Sequence, residues 1–226
     1  MTQYPLTLKF AMFTAAPKVT VTDAAGKELF TAAKSLLSQK EEFTFTAEGK
    51  TIYQVISQES RISEIPSNWD VLNGAGEHLA TISDDFTGLD LAAEVGVTNG
   101  MAGMAINTLK NFAVGGQSLK VFGVKSVTGQ FLGQISPDKA SVSLQQLPLG
   151  ELTAKIPLAY RLITPRYDIR WGNKMVMSMQ KQRTLVADKY VLEAKHKLSA
   201  ADESALLPSI VLAVFYERQQ LKQLYS

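Results

Sequence analysis

Ala205-Leu-Leu-Pro-Ser-Ile-Val-Leu-Ala-Val-Phe-Tyr216 is an almost wholly apolar, helix-forming run near the end of a chain otherwise patterned as short strands. A surface helix carries one apolar stripe, whereas a helix apolar on every side is buried in protein or in lipid. These residues, with Pro208 among them, fall short of the roughly 20 needed to cross a bilayer. The alternating sequence that precedes them can bury them instead. The fold read from this is mainly β: a β-barrel threaded by its own C-terminal helix. One domain spans residues 1–226, with strands from about 4 to 197 and the helix from about 204 to 219. Pro208 is then expected in the first helical turn, where few N–H groups have intrahelical partners.

Composition agrees with a packed domain. Of 226 residues, 46% are hydrophobic and only 19% charged, which excludes a disordered chain. Cysteine is absent, so disulfides and thiolate metal ligation are excluded; this suits a reducing compartment. The stretch Met1–Lys9 shows no charged segment followed by a long apolar one, so the sequence reads as cytoplasmic, without a secretory signal. The small net charge of +2 hides an asymmetry. Residues 1–98 carry 7 Lys+Arg against 13 Asp+Glu, and residues 155–197 carry 10 against 3. A segment this basic suits phosphates, on lipid or nucleic acid. The plainer reading has the acidic first half folding against it.

Working outward from the helix, a repeat emerges. Asp23-Ala-Ala-Gly26, Thr46-Ala-Glu-Gly49 and Asn73-Gly-Ala-Gly76 each place a glycine three residues after a small polar residue, followed by alternating apolar positions. Glycine supplies the positive φ of a tight hairpin turn. Strands are expected at Lys18–Thr22, Glu28–Thr31, Glu42–Phe45, Thr51–Val55, Trp69–Leu72 and His78–Ile82. Lys120–Val124 and Gln130–Ile135 form a fourth hairpin around Thr128-Gly129. The spacing is too irregular for a propeller or solenoid and suggests a meander of hairpins closing on itself.

In the last hairpin, Tyr167, Ile169 and Trp171 alternate with Arg166, Asp168 and Arg170; beyond the turn come Met175, Met177 and Met179. A three-residue loop, Gly172-Asn173-Lys174, would gather the aromatic and Met side chains on one face and send Arg166 and Arg170 outward. Candidate anion-binding residues are therefore Arg161, Arg166, Arg170, Lys174, Lys181 and Arg183.

Residues 88–115, rich in Ala and Met, break the strand pattern and read as a short-helical or irregular insertion. Chemistry-bearing motifs are absent. His78 and His196 belong to no metal-ligand pair, and there is no G-x-S-x-G elbow or P-loop. Asp84, Asp85 and Asp90 lack the alternating ligands and terminal Glu of a calcium loop. No catalytic residue, metal site or cofactor is expected, and an enzyme is the least favoured class.

The C-terminal third adds a family resemblance. Ala187-Asp-Lys-Tyr-Val-Leu-Glu-Ala194, then the helix-start box Ser199-Ala-Ala-Asp-Glu203, then the apolar helix resemble the end of the LURP-one-related family. These are relatives of the Tubby C-terminal domain and of phospholipid scramblases. Leu6-Thr-Leu-Lys-Phe10 and Val19-Thr-Val-Thr-Asp-Ala-Ala-Gly-Lys-Glu-Leu-Phe30 are similar to the family's opening strand and hairpin. The resemblance implies a closed antiparallel barrel of about twelve strands around a hydrophobic helix; most members of the family have no assigned activity. It also implies binding of anionic phospholipid or phosphoinositide headgroups by basic residues on the wall, peripheral to a membrane that the chain does not span. No Tubby lipid-binding motif aligns residue by residue, and the scramblases' calcium-binding segment and palmitoylated cysteines are missing, which argues against scramblase activity. A soluble protein-interaction or regulatory module is the alternative.

Overall fold

The computed structural model describes residues 2–11, 16–60, 68–84, 121–138, 164–184 and 187–224. The insertion read at 88–115 and candidate Arg161 lie outside them. The described residues form twelve strands: β1 (Leu6–Phe10), β2 (Lys18–Thr22), β3 (Glu28–Lys34), β4 (Lys40–Ala47), β5 (Lys50–Ser60), β6 (Asn68–Asn73), β7 (His78–Ser83), β8 (Phe122–Lys125), β9 (Phe131–Pro137), β10 (Arg166–Trp171), β11 (Lys174–Gln182) and β12 (Lys189–Ala194). One helix follows, α1 (Ala200–Leu224). Every strand pairs antiparallel with its sequence neighbour, and β12 pairs with β1 to close the ring. Closure leaves no edge strand to template aggregation.

Period-2 alternation decides which side chains enter the lumen. Leu6, Leu8 and Phe10 of β1 are buried while Lys9 is exposed; Phe43 and Phe45 of β4 are buried beside outward Thr44. A ring of twelve strands is wider than the eight whose side chains alone fill an interior. The apolar helix fills the rest. Leu206, Ile210, Leu212 and Val214 are completely buried. Phe215 meets Phe10 and Phe43, and Tyr216 meets Trp69 and Phe122, so these two rings of the helix reach β1, β4, β6 and β8.

The helix begins earlier than the sequence suggested. Ser199 caps it, its hydroxyl accepting from the Asp202 N–H at 3.1 Å, and Asp202 and Glu203 sit against the positive end of the dipole. Pro208 therefore lies well inside α1 rather than in its first turn. Its missing N–H deprives the Ser204 carbonyl of an intrahelical donor. The enclosing barrel wall, not propensity, holds the helix through that point.

Three turns share one design. Asp23, Asn73 and Ser126 each use a side-chain oxygen to accept N–H groups two and four residues on, and Gly26, Gly76 and Gly129 take φ of 80°, 84° and 84°. Thr46–Gly49 is not a member of this set: Ala47 pairs with Lys50 around a two-residue turn in which Glu48 is itself left-handed, φ 50°. The β10–β11 hairpin also differs from expectation. Trp171 pairs with Lys174 around the two-residue loop Gly172-Asn173, which puts Met175 opposite Arg170. A bulge at Val176 then restores parity, pairing Ile169 with Met177 and Tyr167 with Met179.

These tight turns all lie at one end of the barrel, with the start of α1. The strand ends flanking every other connection lie at the opposite end, which also receives the C-terminal half of the helix. We call them the turn end and the loop end.

Candidate functional site

Four of the sequence candidates lie on the surface. Arg170 and Lys174 are exposed beside the Gly172 turn, Arg183 is exposed just past β11, and Arg166 is half-buried at the start of β10. Arg166 and Arg183 are thus at the loop end and Arg170 and Lys174 at the turn end, about 13 Å away along β10 at 3.3 Å per residue. Lys181 is a correction. It is 1% exposed, inside the barrel, with its Nζ 3.5 Å from Asp188. Continuing the alternation of Met177 and Met179 by one more step puts Lys181 on the lumen face, so the signal was present in the sequence.

The closed ring adds basic residues that sequence reasoning missed. On the outer face near the loop end, Lys9 of β1 and Lys189 of β12 are register partners, side by side. Lys18 stands on the next strand, β2, at the same end. Like charges directly opposite one another destabilise a strand pair. Neither Lys9 nor Lys189 has an ion-pair partner among the described residues. Because β1 lies a hundred and more residues before β12 in sequence, only closure of the ring brings them together. The belt runs Arg166, Arg183, Lys189, Lys9, Lys18 around successive strands, with Asp168 and Glu193 as the outward acids on β10 and β12.

The acidic first half does not neutralise this face. Ring order places β4 directly across the barrel from β10, and β5 across from β11. Outward Glu42 and Asp70 therefore sit on the far wall; β9, next to β10, carries no charge, and Asp138 follows it directly, its N–H donating to the Arg166 carbonyl at 2.8 Å.

Inside the loop end, charge is locked rather than offered. Glu41 of β4, buried, accepts from the Trp69 indole N–H at 3.0 Å and is bonded by the Tyr216 hydroxyl and the Lys34 ammonium. On the other side, Arg218 Nε donates to Asp188 Oδ2 at 2.6 Å, and its guanidinium lies 4.7 Å over the Phe10 ring. Burial pushes the Asp188 carboxyl up, but Lys181 and Arg218 outweigh it and hold the group below its ordinary value. These two networks fasten the helix to β4 and to the start of β12. Between them Glu217, 2% exposed, has neither oxygen in a well-aligned hydrogen bond; the Tyr190 hydroxyl lies near it, likewise unsatisfied. Burial raises the Glu217 carboxyl to about 8, against the opposing pull of Lys181. Tyr167 and Tyr190 are driven well above the ordinary phenol range by burial and by Glu217.

A cavity of about 170 Å³ opens where helix meets wall, bounded by Pro17, Lys34, Phe43, Phe215, Tyr216 and Arg218. Its two cations are already engaged by Glu41 and Asp188. Among the described residues no cluster of three or more His, Asp or Glu is placed to hold a metal. No described helix is long and apolar enough to cross a membrane. The chain matches no protein-family model and no curated protein.

Proposed function

We propose that this protein is a non-enzymatic, Tubby-like barrel that works as a peripheral module, binding anionic phospholipid or phosphoinositide headgroups at a cytoplasmic membrane surface. The observation that carries the reading is the juxtaposition of Lys9 and Lys189 on paired strands, without carboxylate partners among the described residues, at the centre of a basic belt. A like-charged pair built into a closed wall costs stability unless an anion offsets it. Phosphates of a bilayer surface supply that charge over the width of several strands. A single small anion would meet only one or two of the five cations.

Co-sedimentation with vesicles tests this. The protein should pellet with phosphatidylcholine vesicles containing phosphatidylserine or a phosphoinositide, and not with phosphatidylcholine alone. Each basic residue near such a surface contributes about 1 kcal/mol, so Lys9→Glu together with Lys189→Glu should weaken binding by well over tenfold. Raising ionic strength from 0.05 to 0.5 M should also release it, because exposed charges are screened. A wild-type chain that ignores anionic vesicles at low salt overturns the lipid reading and leaves the soluble interaction module.

A further inference from the structure

The described residues expose three large apolar side chains: Leu36, Leu37 and Val127. Val127 stands alone at the turn end, and single exposed apolar residues are ordinary on protein surfaces. Leu36 and Leu37 are different. They are adjacent, 53% and 98% exposed, in the loop Ser35-Leu-Leu-Ser-Gln39 between β3 and β4, at the loop end. The loop itself carries no charge. Lys40 stands at its base, with outward Glu42 two residues on; Lys34, on the other side, is engaged by Glu41, and Lys18 is on β2, the strand next to β3. Lys40 and Lys18 are exposed and without ion-pair partners among the described residues.

We propose that Leu36 and Leu37 are a membrane-inserting tip, and that the barrel sits loop end down on the bilayer. The inference rests on the lipid reading above and adds orientation and depth to it. An apolar tip with cations at its base matches the layering of a bilayer surface, acyl chains beneath a phosphate plane. Only the two side chains need pass the headgroups. The loop backbone stays at the level where water and headgroups satisfy its N–H and C=O groups, as hydrocarbon would not. The same tilt carries Lys9, Lys18, Lys189, Arg166 and Arg183 toward the phosphates, since all lie near the loop-end termini of their strands. A protein partner would leave the tip's match to these flanking cations unexplained.

The absence of cysteine makes a direct test simple. Leu37→Cys and, separately, Val127→Cys each give a unique thiol for an environment-sensitive fluorophore. With vesicles containing 30% phosphatidylserine, the probe at position 37 should shift to the blue, brighten, and be quenched by lipids spin-labelled in the shallow acyl region. The probe at 127 should do none of these. Leu36→Ala with Leu37→Ala should lower the vesicle partition coefficient roughly tenfold, from the apolar area no longer buried, with an unchanged melting temperature. Full pelleting with an unmoved probe at 37, or with both probes moving alike, overturns the orientation and leaves lipid binding intact. Failure to pellet overturns both. A shift at 37 that grows with protein concentration before vesicles are added makes the tip a contact between copies, which also overturns the proposal.

Discussion

The two ends of this barrel solve different problems. At the turn end, Asp23, Asn73 and Ser126 satisfy their own turns with their own side chains, while the Tyr4 and Tyr53 hydroxyls donate to Glu203 and Ser204 at the start of the helix. At the loop end, stability depends on buried charged groups that join the wall to the helix. Glu41 and Tyr216, 175 residues apart, are joined there, as are Asp188 and Arg218. Short-range chemistry shapes the turns at one end, where part-buried hydrogen bonds also hold the start of the helix; buried charged networks lock the helix at the other. The difference teaches where the fold is exposed to damage: the turn end tolerates change locally, whereas any change to the helix is felt around the whole ring.

The largest break in that comparison comes from the shared element. Leu212→Asp places an unpaired charge at a completely buried lumen position, a cost of several kcal/mol that no wall residue offsets. We expect loss of the cooperative melting transition by circular dichroism. A monomer with an unchanged melting temperature would mean that the helix is not what fills the barrel.

The next largest sharpens the contrast between ends. Glu41→Ala strips partners from the Trp69 indole, the Tyr216 hydroxyl and the Lys34 ammonium together, and should cost about 4 kcal/mol. Asp23→Ala at the turn end removes two exposed bonds and should cost about 1 kcal/mol. Urea denaturation of both variants reads the ratio. Equal losses would erase the distinction between the ends.

Much of this fold is legible in the sequence, and the exceptions share one cause. Strand positions followed from alternation and from glycines that need positive φ, both of them local properties. The register of the last hairpin did not, because the bulge at Val176 delivers the same pairing of aromatic and Met side chains that a longer loop would; the pattern fits either. Lys181 was readable by parity, yet its charge suggested the surface, since the partner that makes an inward lysine tolerable, Asp188, is defined only once β12 is placed. The belt was only half legible. Arg166 and Arg183 fall in the basic segment, while Lys9 and Lys18 lie in the acidic half and join it only through closure of the ring. Long-range pairing is what a single sequence conceals.

A comparable effect probes the loop end by pH. The Glu217 carboxyl is raised to about 8 in the folded state, from an ordinary value of 4.5. Between those values the native chain holds a proton that the unfolded chain has lost, so stability falls as pH rises through this window and is flat above it. At about 1.36 kcal/mol per pKa unit the loss should be on the order of 5 kcal/mol, or roughly ten degrees or more in melting temperature for a chain of this size. Glu217→Gln should flatten the dependence between pH 5 and 8 and be the more stable form at pH 8. A wild-type melting temperature that does not change over that range would show the carboxyl to be satisfied. Asp188 acts in the opposite sense: held low by Lys181 and Arg218, its contribution is lost only as pH falls through the acid range.

The smallest effect is expected where the sequence first pointed. Arg170 and Lys174 are exposed basic residues on the same hairpin as Arg166, but they flank the Gly172 turn at the far end of the strands. If the barrel rests on its loop end, they are held about 13 Å further from the phosphate plane than Arg166, by strand rise alone. That exceeds the Debye length of about 8 Å at physiological salt. Arg170→Glu with Lys174→Glu should therefore reduce vesicle binding less than threefold, while Lys9→Glu with Lys189→Glu reduces it more than tenfold at the same change in net charge. Matching the two pairs for net charge makes the comparison one of position alone. Equal losses would mean that the barrel lies on its side, with the full length of the β10–β11 hairpin against the membrane, and the ends would then differ in stability but not in function.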